Sequence, residues 1–185
     1  MKHILFLLLL SFANLVFAAE EETHISFNKE NAKYWQYISD RTMGGISDGQ
    51  ALLEQDGDRF FARLTGDVST KNNGGFIQLR SNLLFSSFQE DVKKIKGVRL
   101  KVRGNGEIYH VFIRTDEARS YSDYYAATFK ANTNWEIIDL PFNQFINKFS
   151  INTNLNGKNV RTFAIVAYGR EFKSDVSVSQ IIFYY

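Results

Sequence analysis

Val98-Arg99-Leu100-Lys101-Val102-Arg103 sets three aliphatic side chains and three cations in strict alternation. In an extended chain successive side chains point to opposite faces, so this hexapeptide has one face for a core and one for water, the pattern of a strand in an antiparallel sheet. A period of two, less regular, also marks residues 24–27, 34–39, 49–55, 59–65, 76–81, 107–115, 124–130, 135–140, 161–168 and 176–184. Residues 108–113 and 163–166 are apolar with little alternation, which predicts strands in the middle of a sheet with both faces covered. Asp56-Gly57-Asp58, Gly104-Asn105-Gly106 and Asn132-Thr133-Asn134 carry turn chemistry and predict tight hairpins between antiparallel neighbours. Helix is expected only as a few turns at 84–96 and 142–149, and the Asn-rich stretch 152–159 as a long surface loop. Short strands with turns at near-regular spacing imply an all-β jelly-roll sandwich of roughly nine or ten strands in a single domain.

Residues 1–18 stand apart from that pattern. A basic start at Met1-Lys2-His3, an apolar run and then Val16-Phe17-Ala18 have the order of a signal peptide, with cleavage expected after Ala18. Ser11 and Asn14 interrupt the run, which falls short of the ~20 apolar residues that a bilayer span requires, so no membrane insertion is expected after cleavage. Glu20-Glu21-Glu22 follows at once, where a mitochondrial presequence would be rich in arginine and poor in acids. The expected location is therefore periplasmic or secreted. Residues 19–185 are left as the domain, a length that supports a packed core. The whole chain has 22 Lys and Arg against 20 Asp and Glu, a net charge of +2, so no strong field favours nucleic acid. It has no cysteine, which excludes disulfides, thiol chemistry and lipidation at a cysteine.

Two loops concentrate the unusual chemistry. Asp40-Arg41-Thr42-Met43-Gly44-Gly45-Ile46-Ser47 and Asn72-Asn73-Gly74-Gly75-Phe76 each set a glycine pair beside polar side chains, and only one predicted hairpin separates them. Glycine admits φ > 0 and close backbone approach, while Asp and Asn bond nearby amides, so both segments read as tightly turned polar loops. They are expected to lie side by side at one end of the sandwich.

Taken with Trp35 and Arg80, with Arg103-Gly104-Asn105-Gly106 and Tyr109, and with Leu140-Pro141-Phe142 and Phe145, these loops resemble the signature of the complex I intermediate-associated protein 30 family. The resemblance extends over nearly the whole chain after residue 18. It implies a galactose-binding-like jelly roll with no settled enzymatic reaction, and a protein partner in an assembly or chaperone-like role. The chain departs from the family at Thr42, where valine is usual, at Asn105, often aspartate, and in lacking a Pro-x-x-x-Gly after Pro141-Phe142. Its export signal is a further departure, because an exported domain does not meet the matrix-side or cytosolic arm of complex I. A protein partner would then belong to an envelope complex.

The candidate ligand- or partner-binding residues are Asp40, Arg41, Met43, Gly44, Gly45, Ser47, Asn72, Asn73, Gly74, Gly75, Arg80, Arg103, Tyr109, Tyr124 and Tyr125. Oxygen donors converging from the two loops have the chemistry of a Ca²⁺ site, though they equally bond the amides of their own turns, and no spaced acidic run of EF-hand type is present. Arg80 and Arg103 offer planar forks for a carboxylate, a phosphate or vicinal hydroxyls; alternatively, an arginine pairs with Asp40 across the loops. Tyr121, Tyr124 and Tyr125, set among Ser120, Ser122 and Asp123, suit pyranose stacking or a protein interface, whereas Trp35 and Trp135 are expected in the core. Catalysis is not expected. Beyond the leader the histidines are His24, near the terminus, and His110, inside a predicted strand, and no Ser–His motif, zinc ligand set or ordered carboxylate pair accompanies them. Two functions remain open at this level, a protein-binding module and a carbohydrate-binding module of galactose-binding-like type.

Overall fold

A computed structural model describes residues 22–82, 95–148, 154–155 and 160–185. Twelve strands form among them: β1 (Glu22–Ser26), β2 (Trp35–Ser39), β3 (Asp48–Asp56), β4 (Arg59–Val68), β5 (Phe76–Asn82), β6 (Gly97–Gly104), β7 (Ile108–Thr115), β8 (Tyr125–Lys130), β9 (Glu136–Pro141), β10 (Ile146–Asn147), β11 (Val160–Tyr168) and β12 (Phe172–Tyr184). Each strand expected from the sequence is present, with its ends shifted by a few residues; the two-residue β10 was not expected.

The strands divide into two antiparallel sheets packed face to face. The first has the order β3-β4-β12-β6-β9, with β1 also paired to β12; the second runs β10-β8-β7-β11-β5-β2. β12 is long enough for β4 and β1 to share one of its edges, β4 pairing residues 172–178 and β1 residues 180–184. Alternation sets the burial. Val98, Leu100 and Val102 of β6 are fully buried against Val111, Ile113, Phe163 and Ile165 from the second sheet, while Arg99 and Lys101 face out. Burying each such aliphatic side chain contributes about 1.5–3 kcal/mol, and with no disulfide this core carries the fold.

Three expectations are corrected. Gly104-Asn105-Gly106 and Asn132-Thr133-Asn134 are not hairpins: β6 and β7 lie in different sheets, as do β8 and β9, so both turns carry the chain across the sandwich. Gly106 does adopt the left-handed backbone its turn requires, at φ 85°. The helix expected at 142–149 reduces to a single 3-10 turn, Phe142–Gln144, because Phe142 and Phe145 both point into the core and β10 follows directly. The expected leader, the helix at 84–96 apart from its last two residues, and most of the loop at 152–159 lie outside the described residues. Leu155, which is described, is buried in the core.

β7 and β11 occupy the middle of the second sheet, as their continuous apolar runs predict. Their outer faces carry a separate, small apolar cluster of Phe112, Tyr124, Ala126, Ala164 and Val166, with Phe76 packed against it.

Candidate functional site

The two glycine-pair loops meet at Asp40. This residue opens a 3-10 turn after β2 and is fully buried. Its Oδ1 accepts the backbone N–H of Ser47 at 2.9 Å. Its Oδ2 accepts the N–H groups of Gly75 at 2.6 Å and Phe76 at 3.1 Å, and the Ser47 hydroxyl as well. Burial alone would raise the carboxyl pKa, but these hydrogen bonds outweigh it and the net shift is downward, so Asp40 stays ionised. The glycines make room for it. A Cβ on Gly45 would sit 2.3 Å from Asp40 Oδ1, and one on Gly74 2.5 Å from Oδ2. Ser47, also fully buried, accepts the N–H of Ser69 at 2.9 Å and extends the latch to the end of β4.

Asp40, Gly45, Ser47 and Gly75 are therefore internal to the joint. The oxygens of Asp40 are saturated by donors, and among the described residues no group of three or more Asp, Glu or His side chains is placed to hold a metal ion. Gly44, at φ 90°, and Asn72, at φ 56°, shape their turns from exposed positions. Arg41 lies at the surface, bonded to Ser47 O at 3.2 Å and paired with Asp48 at 3.3 Å.

Beside this joint the second sheet bears a groove of about 570 Å³. Thr42, Met43, Asn73 and Gly74 of the loops wall one end. The floor follows from strand register. Phe76, Gln78 and Arg80 alternate along β5 with core residues Ile77 and Leu79. Arg80 pairs across β11 with Ala164, which in turn faces Phe112 of β7 and then Ala126 of β8. Small residues beside large ones make this face concave. Phe112 and Tyr124 stack, with ring centroids 4.0 Å apart, and Tyr168 meets Phe112 edge-on at 5.3 Å. Burial, together with its hydrogen bond to Tyr168, drives the Tyr124 hydroxyl pKa well above its ordinary value, so it is neutral at any physiological pH.

Arg114, next outward position on β7, places its guanidinium 5.6 Å from the Tyr124 ring centroid. Its Nε and Nη2 bond Tyr121 O at 3.2 and 2.7 Å, while its buried Nη1 has no partner. The carboxylate of Asp123 accepts the N–H groups of Arg119 and Ser120, folding the loop that offers Tyr121 to solvent with 82% of its surface exposed. Gln78 is only 5% exposed, yet its Oε1 is unpaired. His110 faces the same side, in edge contact with Phe112 and Tyr168, and burial holds its pKa below the ordinary value.

Of the residues singled out in the sequence, Met43, Asn73, Gly74, Arg80 and Tyr124 come together in this groove. Four expectations fail. Tyr109 and Tyr125 point into the core: the Tyr109 hydroxyl donates to Asn105 Oδ1 and accepts the Asp175 N–H, and neither ring has a face open to a ligand. Arg103 belongs to the first sheet and lies over the rings of Phe61 and Trp135, at 5.0 and 4.8 Å. Among the described residues no arginine pairs with Asp40, since Arg80 faces the groove and backbone amides and the Ser47 hydroxyl take the carboxylate. Phe112, Arg114, Gln78 and Tyr168 were missed. Their signal was the residue spacing Phe76-x-Gln78-x-Arg80 and Phe112-x-Arg114, polar and aromatic side chains on the back of core strands.

A second depression, about 470 Å³, is lined by Ser26, Phe27, Asp56, Asp58, Arg59, Phe60, Lys101, Ser179 and Gln180. Its two cations stand beside two carboxylates, and it lacks a stacked aromatic pair.

The sandwich is similar to two solved structures from Clostridium thermocellum. One is the family 11 carbohydrate-binding module of the cellulosomal cellulase Lic26A-Cel5E, at a TM-score of 0.71 and 12% identity over 90% of this chain and 95% of that one. The other is a family 11 carbohydrate-binding module in complex with a β-1,3-1,4-mixed-linked tetrasaccharide, at 0.69 and 13% over 90% and 96%. At this identity the likeness is one of fold. No curated protein matches the sequence. The family model for Complex I intermediate-associated protein 30 matches residues 25–176, a span holding both glycine-pair loops and every strand of the groove, and the chain belongs to that family.

Proposed function

We propose that this chain is an exported, non-catalytic binding module that seats a saccharide chain in the groove of its second sheet. The observation that carries the reading is the aromatic lining of the groove, Tyr168 and Tyr121 exposed at 38% and 82% beside the buried Phe112–Tyr124 stack, flanked by the buried unpaired amide oxygen of Gln78 and by two arginines. Aromatic faces suit the C–H surface of a pyranose, and buried polar groups without partners are costly until a ligand satisfies them. The resemblance in fold to modules that include one solved with a tetrasaccharide supports it. Export rests on the leader at residues 1–18, whose removal after Ala18 would leave every described strand intact. No metal takes part in this reading.

A protein partner, in an assembly role of the kind the family name indicates, is the second reading. It draws on Met43 and Ile46, 62% and 45% exposed on the first loop, which give the rim an apolar edge suited to a protein surface. Amide chemical-shift mapping with a panel of oligosaccharides separates the two. Saccharide binding predicts shifts centred on β5, β7, β11, the 119–124 loop and the loop residues Thr42, Met43, Asn73 and Gly74 that wall the groove, and a groove silent to every sugar at millimolar concentration rejects it.

A further inference from the structure

Salt bridges occupy five of the ten arginines of the described chain. Arg41 pairs with Asp48, Arg63 with Glu54 and Asp175, Arg99 with Glu22 and Asp139, Arg161 with Asp116 and Arg170 with Glu107. Arg80 and Arg114 are different. Among the described residues no carboxylate pairs with either, and the groove they share is lined by no Asp or Glu at all. They project from β5 and β7 on either side of β11, two strand spacings across and two residues along, about 12 Å apart at the backbone. Burial first, and then the charge of Arg80, press the Arg114 pKa downward. Two like charges held together, one with a buried N–H lacking an acceptor, form a site that an anion would complete.

Resting on the reading that the groove holds a saccharide, we infer that its ligand is acidic, a chain of uronate residues whose carboxylates meet Arg80 and Arg114. The apolar face of a uronate ring stacks on the exposed rings of Tyr168 and Tyr121, and its hydroxyls reach Gln78. The fork of Arg80 is open for a two-point contact with a carboxylate, while Arg114 offers its Nη1 because Tyr121 O already holds its other two nitrogens. A peptide rich in glutamate would satisfy the charge but not the stacking rings. A neutral glucan would satisfy the rings and leave the charges unmet.

Calorimetric titration of the chain with tetragalacturonate, with its carboxyl-reduced neutral counterpart and with tetraglutamate tests this. The uronate is expected to bind about tenfold or more tightly than the neutral sugar. Raised salt should weaken the acidic ligand only. Arg80→Gln and Arg114→Gln should each remove most of that preference, weakening the uronate severalfold more than the neutral sugar, and Arg80→Lys should restore part of it, since charge is kept and the fork lost. Circular dichroism of each variant separates lost folding from lost contact. Equal affinity for the two sugars overturns the inference and leaves the saccharide reading standing. Binding of neither sugar sinks both, and tetraglutamate binding as tightly as the uronate overturns the saccharide assignment.

Discussion

Asp40 is a buried anion answered by backbone dipoles rather than by a cation. Its value to the fold has a definite pH signature. Because hydrogen bonding lowers its pKa in the folded chain, its contribution is complete above the unfolded value of about 3.9 and is lost as pH falls through the lower folded value. Asp40→Asn should therefore remove part of the acid-side decline in stability, and should cost about 3 kcal/mol at neutral pH, since an amide presents two donors to a site already full of donors. Urea midpoints of both proteins from pH 2 to pH 7 check both statements. Tyr109 makes the complementary point about location. Tyr109→Phe orphans the Asp175 N–H and the Asn105 carbonyl, and should cost about 1–3 kcal/mol while leaving saccharide affinity unchanged. An equal loss of affinity would return Tyr109 to the site.

At the scale of the element, periodicity and turn chemistry had different reach. Alternation in Val98 to Arg103 states that one face is buried, and burial is what the sandwich selects, so the strand is legible from its own residues. Gly104-Asn105-Gly106 states only that the backbone reverses there. Whether it reverses within a sheet or over to the other one depends on which partner β7 pairs with, and no residue of the turn carries that information. Asn105 holds the crossing in place: its amide donates to Lys173 O at 2.7 Å and its carbonyl accepts the Tyr109 hydroxyl. Asn105→Ala should cost about 1–2 kcal/mol. Asn105→Asp, the residue common in the family, keeps the acceptor and loses the donor, and should cost less. Thermal or urea unfolding of the two variants orders them, and the reverse order would move the weight of the contact to Lys173.

Across the whole molecule the two sheets divide the work. The first is covered on its outer face by paired charges, Arg63 with Asp175 and Arg99 with Asp139 among them, and the second turns aromatic rings and unpaired arginines outward. Ligation of the folded state stabilises by RT ln(1 + [L]/Kd), so a saccharide at a hundred times its Kd should add about 2.7 kcal/mol to unfolding. That gain should survive chelation with EDTA, because the groove engages its ligand through rings, amides and guanidinium groups. A gain abolished by EDTA and restored by Ca²⁺ would place a cation in the site.

The sequence by itself determined that the chain is all-β, where its strands run and that the two glycine-pair loops are special, because alternation and left-handed turns are local properties written residue by residue. It did not place Tyr109 and Tyr125, which face the core, or Arg103, which belongs to the other sheet; Tyr125 stands directly beside the groove residue Tyr124, and a shift of one position along a strand reverses the side it faces. Nor did it reveal the groove, whose rings and charges come from β5, β7, β11 and the 119–124 loop. Only the order of strands in the second sheet brings Arg80, Ala164, Phe112 and Ala126 into one row, and that order is set by long-range packing of two sheets whose sequences do not name their neighbours.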